Sequence, residues 1–204
     1  MRLHWHPFSI FPRRVRVALR EKRLPYEDVF VDLPNGGTRT PEFLRLNPFG
    51  HVPVLEDDGV VLYESLAILE YLEERQPDPA LLPAERAARG RARQFMCASG
   101  DYLAGPLKRW LSRIFSPEPT WDRPDQERAL AEMAAHFDVL ERELGGREYL
   151  AGPFSLADVA YVPLVCDLEL CGLESLVAPR PAVRAWIARL NGRDSVVATR
   201  PQGI

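Results

Sequence analysis

Apolar residues come in two rhythms along this chain. Through roughly the first 76 residues short apolar runs alternate with amphipathic stretches, and beyond them apolar positions recur almost wholly at helical spacing. Leu3 to Trp5 predicts a strand broken by Pro7, and Pro12 stands in the first turn of a helix carrying Val15, Val17, Ala18, Leu19 and Leu24. Tyr26 to Asp32, with Val29, Phe30 and Val31, predicts a second, buried strand. After the loop Pro34-Asn35-Gly36-Gly37, Pro41 to Leu46 predicts a short helix closed by the turn Asn47-Pro48-Phe49-Gly50. Val52 to Glu56 and Val60 to Tyr63 flank Asp57-Asp58-Gly59 as a hairpin should. Ser65 is then expected to cap a helix with Leu66, Ile68, Leu69 and Leu72 spaced for one face.

One βαβ unit followed by one ββα unit resembles the thioredoxin arrangement. The expected fold is therefore an α/β N-terminal thioredoxin-like domain over residues 1–76, a linker over 77–83 around Pro77-Asp78-Pro79, and an all-α domain over 84–204. In the second part, Glu85 to Phe115 predicts a long amphipathic helix or helix pair. Leu130, Met133, Ala134, Phe137, Leu140 and Leu144 mark another helix. Ser155-Leu156-Ala157-Asp158 reads as a capping box opening the most apolar helix, and Val183, Trp186, Ile187 and Leu190 predict a last amphipathic one.

Composition narrows the function classes. The chain has 204 residues, 46% of them apolar, and 26 basic against 29 acidic residues give a net charge of −3. That balance lacks the basic excess of a general nucleic-acid binder. Cys97, Cys166 and Cys171 are odd in number and show no CxxC spacing, so neither a disulfide framework nor a zinc site is expected, and a reducing, cytoplasmic compartment is. They are expected to be core or partly buried thiols. No run of 18 uncharged apolar residues occurs, so no membrane association is expected. Lys22 and Lys108, the two lysines, lack phosphate-loop spacing, and His4, His6 and His136 lack metal-ligand spacing.

Three ordered segments carry a resemblance: His6-Pro7-Phe8-Ser9-Ile10-Phe11-Pro12-Arg13-Arg14-Val15, then Asn47-Pro48-Phe49-Gly50-His51-Val52-Pro53-Val54-Leu55-Glu56-Asp57, then Tyr63-Glu64-Ser65-Leu66-Ala67-Ile68. Together with Phe154-Ser155-Leu156-Ala157-Asp158 and Ala185-Trp186-Ile187 they resemble the glutathione transferases over nearly the whole chain. The nearest pattern is that of the serine-using phi class and related bacterial enzymes. The resemblance implies glutathione as co-substrate, no metal, a homodimer with Phe49 as a candidate contact, and a role in detoxification.

The same residues have a physical reading. Val52-Pro53 imposes an extended backbone at Val52, and the cis bond that the resemblance implies would turn its amide and carbonyl outward, to pair with a peptide as an added strand does. Glu64 offers an anion to the γ-glutamyl ammonium, and Ser65 at a helix start suits the carboxylate beside it. Arg39 stands where the phi pattern usually has a lysine and is the candidate for the glycyl carboxylate. Thr38 replaces the usual histidine, and His51 replaces a glutamine while keeping one hydrogen bond to offer.

Ser9 is the candidate catalytic residue. A thiol titrating near ~8.5 needs a shift of about two units, roughly 2.7 kcal/mol, to be mostly anionic at neutral pH. A hydroxyl donating to an anion supplies ~1.5 to 3 kcal/mol and a helix N-terminus ~0.3 to 1. Ser9 would act as a donor and not as a base. Phe8, Phe11 and Trp110 are the candidate walls of an electrophile pocket, with Tyr102, Leu111 and Phe115 on the same helical stripe as Trp110. Two other outcomes stay open: glutathione-dependent peroxidase or dehalogenase activity, and a non-catalytic transferase-like binding module. A cysteine-type reductase is disfavoured because no Cys lies between Pro7 and Arg14.

Overall fold

The computed structural model describes residues 1–115 and 123–201. The chain divides into one unit formed by residues 1–81 with the segment from Asp194 onward, and a second formed by residues 82–193.

The first unit is built on a four-stranded mixed sheet in the order β2-β1-β3-β4, with β1 Arg2–Trp5, β2 Glu27–Phe30, β3 Val54–Asp57 and β4 Val60–Tyr63. β1 pairs in parallel with β2, His4 opposite Val29, and antiparallel with β3, His4 opposite Val54. Leu3 and Leu55, both almost fully buried, face each other across that second pair, whereas the hairpin partner places Tyr63 opposite Val54. β2 departs from the buried strand expected over Tyr26 to Asp32. It is an edge strand, Phe30 is 61% exposed, and burial resumes only at Val31. Apolar content alone did not distinguish a central strand from an edge strand with one apolar neighbour inside.

Three helices pack on this sheet: α1 Ile10–Glu21, α2 Pro41–Leu46 and α3 Ser65–Arg75. α1 buries Val15, Val17, Ala18 and Leu19, and α3 buries Ile68, Leu69 and Leu72. Phe43 of α2 joins Val31, Val52 and Val54 in a cluster of its own. The side chain of Thr40 caps α2 by accepting from the Phe43 amide at 3.2 Å. Ser65 is the first residue of α3 and Glu64 is its N-cap, one position earlier than expected.

The second unit holds α4 Arg86–Ala98, a wide π-type turn over Ser99–Ala104, α5 Gly105–Phe115, α6 Arg123–Glu143, α7 Leu156–Val165 and α8 Pro181–Asn191. All ten residues of α7 are buried. The capping box at its start is formed: Asp158 accepts from the Ser155 amide at 2.9 Å, and its other oxygen accepts from the Leu150 amide at 3.2 Å and from the Trp186 indole of α8 at 2.9 Å. Burial pushes the Asp158 carboxyl up from its ordinary range while these donors pull it back.

A last short helix, α9 Asp194–Val197, corrects the domain boundary expected at 84–204. Ser195 donates to Glu21 of α1, and Arg13 Nη2 donates to the Val196 carbonyl at 3.4 Å, so the segment from Asp194 packs on α1 within the first unit. Cys97 is exposed, against the buried or partly buried position expected of it, whereas Cys166 and Cys171 are half-buried. No described helix is long and apolar enough to cross a membrane.

Candidate functional site

The candidate residues of the first unit gather at one end of its sheet. β1 leaves that end into the loop carrying Ser9, β3 enters from it after Val52 and Pro53, and β4 delivers Glu64 and Ser65 to it. Extending the β3–β4 register past Val54 and Tyr63 sets Pro53 opposite Glu64 and Val52 opposite Ser65. The Val52–Pro53 peptide is cis. Among the described residues the amide and carbonyl of Val52 find no hydrogen-bond partner, although the side chain is buried in the Val31–Phe43–Val54 cluster.

Asn47, whose sequence context predicts only a turn residue, fixes the approach to this bend. Its side-chain amide donates to the His51 carbonyl at 2.7 Å and its oxygen accepts from the Phe49 amide at 3.0 Å. Asn47 is 2% exposed, so a solvated turn residue is not what it is. The signal available in advance was the Asn-Pro pair, since a short amide side chain reads its own turn. Gly50 completes the turn at φ +64°, and a Cβ there would lie 2.9 Å from Arg39 Nη1 and 3.0 Å from the Thr38 carbonyl. That close approach requires glycine and shows that Arg39 lies against the His51 turn. Arg39 and His51 are both exposed, and Thr38 is buried.

Glu64 is exposed and sits at φ 69°, ψ 105°, outside the regions that ordinary side chains adopt, and its carboxylate does not cap α3. Ser65 is 6% exposed and accepts from Arg14 Nη1 of α1 at 3.4 Å. Arg14 is itself 1% exposed, with its guanidinium 5.0 Å from the Phe11 ring centroid. The sequence offers Arg14 only as an alternative to Ser9 in activating the thiol and does not show this tie to α3. A cation on an otherwise apolar helix face was the available signal.

Ser9 is the N-cap of α1, half-buried, with extended backbone at φ −90°, ψ 120°. Its amide donates to the His6 carbonyl at 3.0 Å. The hydroxyl makes no cap hydrogen bond, nor any other among the described residues. A hydroxyl left unspent beside the first amides of a twelve-residue helix is placed to meet an anion. His6 accepts from the Phe8 amide through Nδ1 at 3.2 Å, and burial lowers its pKa while the charge of Asp32 raises it in part.

The candidate pocket residues are shared between the two units. Phe8 is 49% exposed with its ring edge on His6, and Phe11 is half-buried under Arg14. Trp110 belongs to the second unit, is 7% exposed and donates its indole N–H to the Cys171 carbonyl at 2.9 Å, which fastens it into the helical packing. Tyr102 is 65% exposed on the wide turn, and the side chain of Phe115 lies outside the described residues.

Comparison with known proteins bears on this arrangement. The profile "Glutathione S-transferase, N-terminal domain" matches residues 8–75, and "Glutathione S-transferase, C-terminal domain" matches residues 123–189. The chain belongs to the glutathione S-transferase family. Glutathione S-transferase F10 of Arabidopsis thaliana is 35% identical, over 92% of this chain and 90% of its own. Glutathione transferase F7 of Populus trichocarpa superposes with a TM-score of 0.88 at 27% identity, covering 97% of this chain and 96% of its own. A transferase of Burkholderia graminis, solved with two glutathione molecules bound per subunit, superposes at 0.87 with 29% identity, over 97% of this chain and 86% of its own. The thioredoxin-like unit with a mixed sheet and the helical unit after it are those of this family's fold.

Proposed function

We propose that the protein binds glutathione along the end of the first unit's sheet and activates its thiol through the Ser9 hydroxyl for attack on apolar electrophiles. The observation that carries this reading is the unspent hydroxyl of Ser9 at the N-cap of α1. An N-cap serine normally accepts from an amide of the first helical turn. Here the hydroxyl is free to donate to a sulfur anion, with the helix amides behind it.

The remaining assignments follow from the chemistry of the tripeptide. Val52 offers a strand-like amide and carbonyl to the cysteinyl unit, and Pro53 shapes that offer. Glu64 takes the ammonium and the start of α3 at Ser65 takes the neighbouring carboxylate. Arg39 and His51, brought to one turn, face the glycyl end. Rate acceleration then comes from thiolate population and proximity, and the chain supplies no covalent nucleophile of its own. Phe8 and Phe11 provide apolar surface beside Ser9 for the acceptor. The three cysteines are free thiols, which suits a reducing cytoplasm.

We also infer a homodimer. Phe49 is 60% exposed on a turn that Asn47 holds rigid, and the helical unit carries a cleft of about 630 Å³ lined by Phe95, Tyr102, Val139 and Leu140 among others. A rigid aromatic and an apolar cleft on one molecule are complementary under a two-fold axis. Calorimetric titration with glutathione, followed by conjugation assays over a panel of electrophiles, tests the reading. Binding with conjugation supports it. Binding without turnover on any electrophile would make the protein a binding module, and absence of binding would remove the proposal.

A further inference from the structure

A second cavity lies in the first unit, between β1, α1 and the segment after α9. It measures about 220 Å³, and its walls include Trp5, His6, Ser9, Arg13, Arg16 and Arg200. Three of those six are arginines, and no carboxylate side chain lines it among the described residues. Two acids act on residues of the walls. Asp28 is 3.8 Å from Arg16 Nε and partly solvated, and the charge of Asp32 acts on His6.

The polar groups of the cavity are mostly donors, and beside the Ser9 hydroxyl the Arg16 fork and the Trp5 indole N–H are unspent among the described residues. The Arg16 guanidinium stacks over the Trp5 ring with its carbon 3.8 Å from the centroid. Its Nε donates to the Tyr26 hydroxyl at 3.4 Å, while its two terminal nitrogens have no hydrogen-bond partner among the described residues. Trp5 Nε1 is buried and has none either. A buried indole N–H without an acceptor costs about 1 to 3 kcal/mol, so a position that keeps one invites an acceptor from outside the chain. The planar guanidinium fork beside it matches two oxygens of a carboxylate or phosphate.

We propose that this cavity binds a small oxyanion, held by the terminal nitrogens of Arg16 and by Trp5 Nε1, with Arg13 and Arg200 supplying further positive charge. Its volume holds on the order of seven waters at ~30 Å³ each, which sets the ligand at inorganic phosphate or a short dicarboxylate. The cavity shares Ser9 with the glutathione reading, whereas the two anion ligands named here, Trp5 and Arg16, take no part in that reading.

The test is calorimetric titration of the glutathione-free protein with inorganic phosphate and with succinate, against sodium chloride at matched ionic strength. Saturable binding of one anion per chain by either probe, absent with chloride, supports the site, and the tighter probe identifies its chemistry. R16Q should weaken that binding roughly tenfold or more and W5F severalfold. Both variants should remain on a glutathione column if they bind that ligand as the wild type does, which separates this site from the other. Should R16Q fail to fold, W5F decides, because phenylalanine keeps the ring under Arg16 and removes only the N–H donor. Heats no larger than those of chloride, or wild-type affinity in the folded variants, would overturn the proposal.

Discussion

Arg14 of α1 reaches across to the first residue of α3, its Nη1 donating to Ser65 Oγ at 3.4 Å with both side chains buried. This contact ties the helix that Ser9 begins to the helix that Glu64 precedes. The Ser65 hydroxyl is therefore held by Arg14, while the Glu64 carboxylate stands in solvent with no structural duty at the helix end. Stability and ligand binding should separate at these neighbouring positions.

Glu64→Gly should make the separation visible. Glycine adopts a φ of 69° without penalty, so the variant should gain about 1 kcal/mol of stability or lose none. Removal of the carboxylate should at the same time weaken glutathione binding on the order of tenfold or more. Thermal unfolding and calorimetric titration on one preparation check both halves. A variant with undiminished affinity would take Glu64 out of the ligand site.

Much of this site was legible in the sequence because its parts are local signals. Asn-Pro-Phe-Gly, Val-Pro and Glu-Ser each constrain the backbone within a few residues, and the β3–β4 register, which ends with Val54 opposite Tyr63, brings the last two to the same end of the sheet. The roles of Asn47 and Arg14 escaped because they lie in what the side chains reach, four residues on in one case and fifty-one in the other. The edge position of β2 and the return of α9 to α1 are likewise long-range choices. Phe30 in an edge strand and Phe43 in the core have the same hydrophobicity, and only the pairing order sorts them.

Phe49→Ser should shift the oligomeric state toward monomer. The ring is 60% exposed with its edge on Tyr63 at 5.8 Å between centroids, so its removal should cost the fold little. Sedimentation velocity over a micromolar concentration series reads the change. A wild-type protein that sediments as a monomer would contradict the dimer, and a dimeric variant would place the interface elsewhere.

The acid limb of stability should report His136. Its Nε2 lies 2.9 Å from the Tyr161 hydroxyl, and burial lowers its pKa from 6.5 to about 4. The folded state thus favours the neutral ring. The contribution is fully present above the unfolded value of 6.5 and is lost as pH falls from there through about 4. The loss is on the order of 3 kcal/mol, at about 1.4 kcal/mol per unit. His136→Gln should flatten unfolding free energy between those pH values. An unchanged slope would show that other groups govern the acid limb.

Ser9 carries the central claim. Because its hydroxyl does not cap α1, Ser9→Ala should leave the melting temperature nearly unchanged, unlike removal of a working cap, which costs ~1 kcal/mol. The decisive measurement is the ultraviolet thiolate absorbance of protein-bound glutathione followed against pH in the wild type and in Ser9→Ala. The expected result is a midpoint raised by up to about two units in the variant, with glutathione affinity nearly intact and part of the lost turnover restored at higher pH. Superimposable titration curves would contradict the account and move thiol activation to the backbone amides of the first turn or to Arg13 and Arg14.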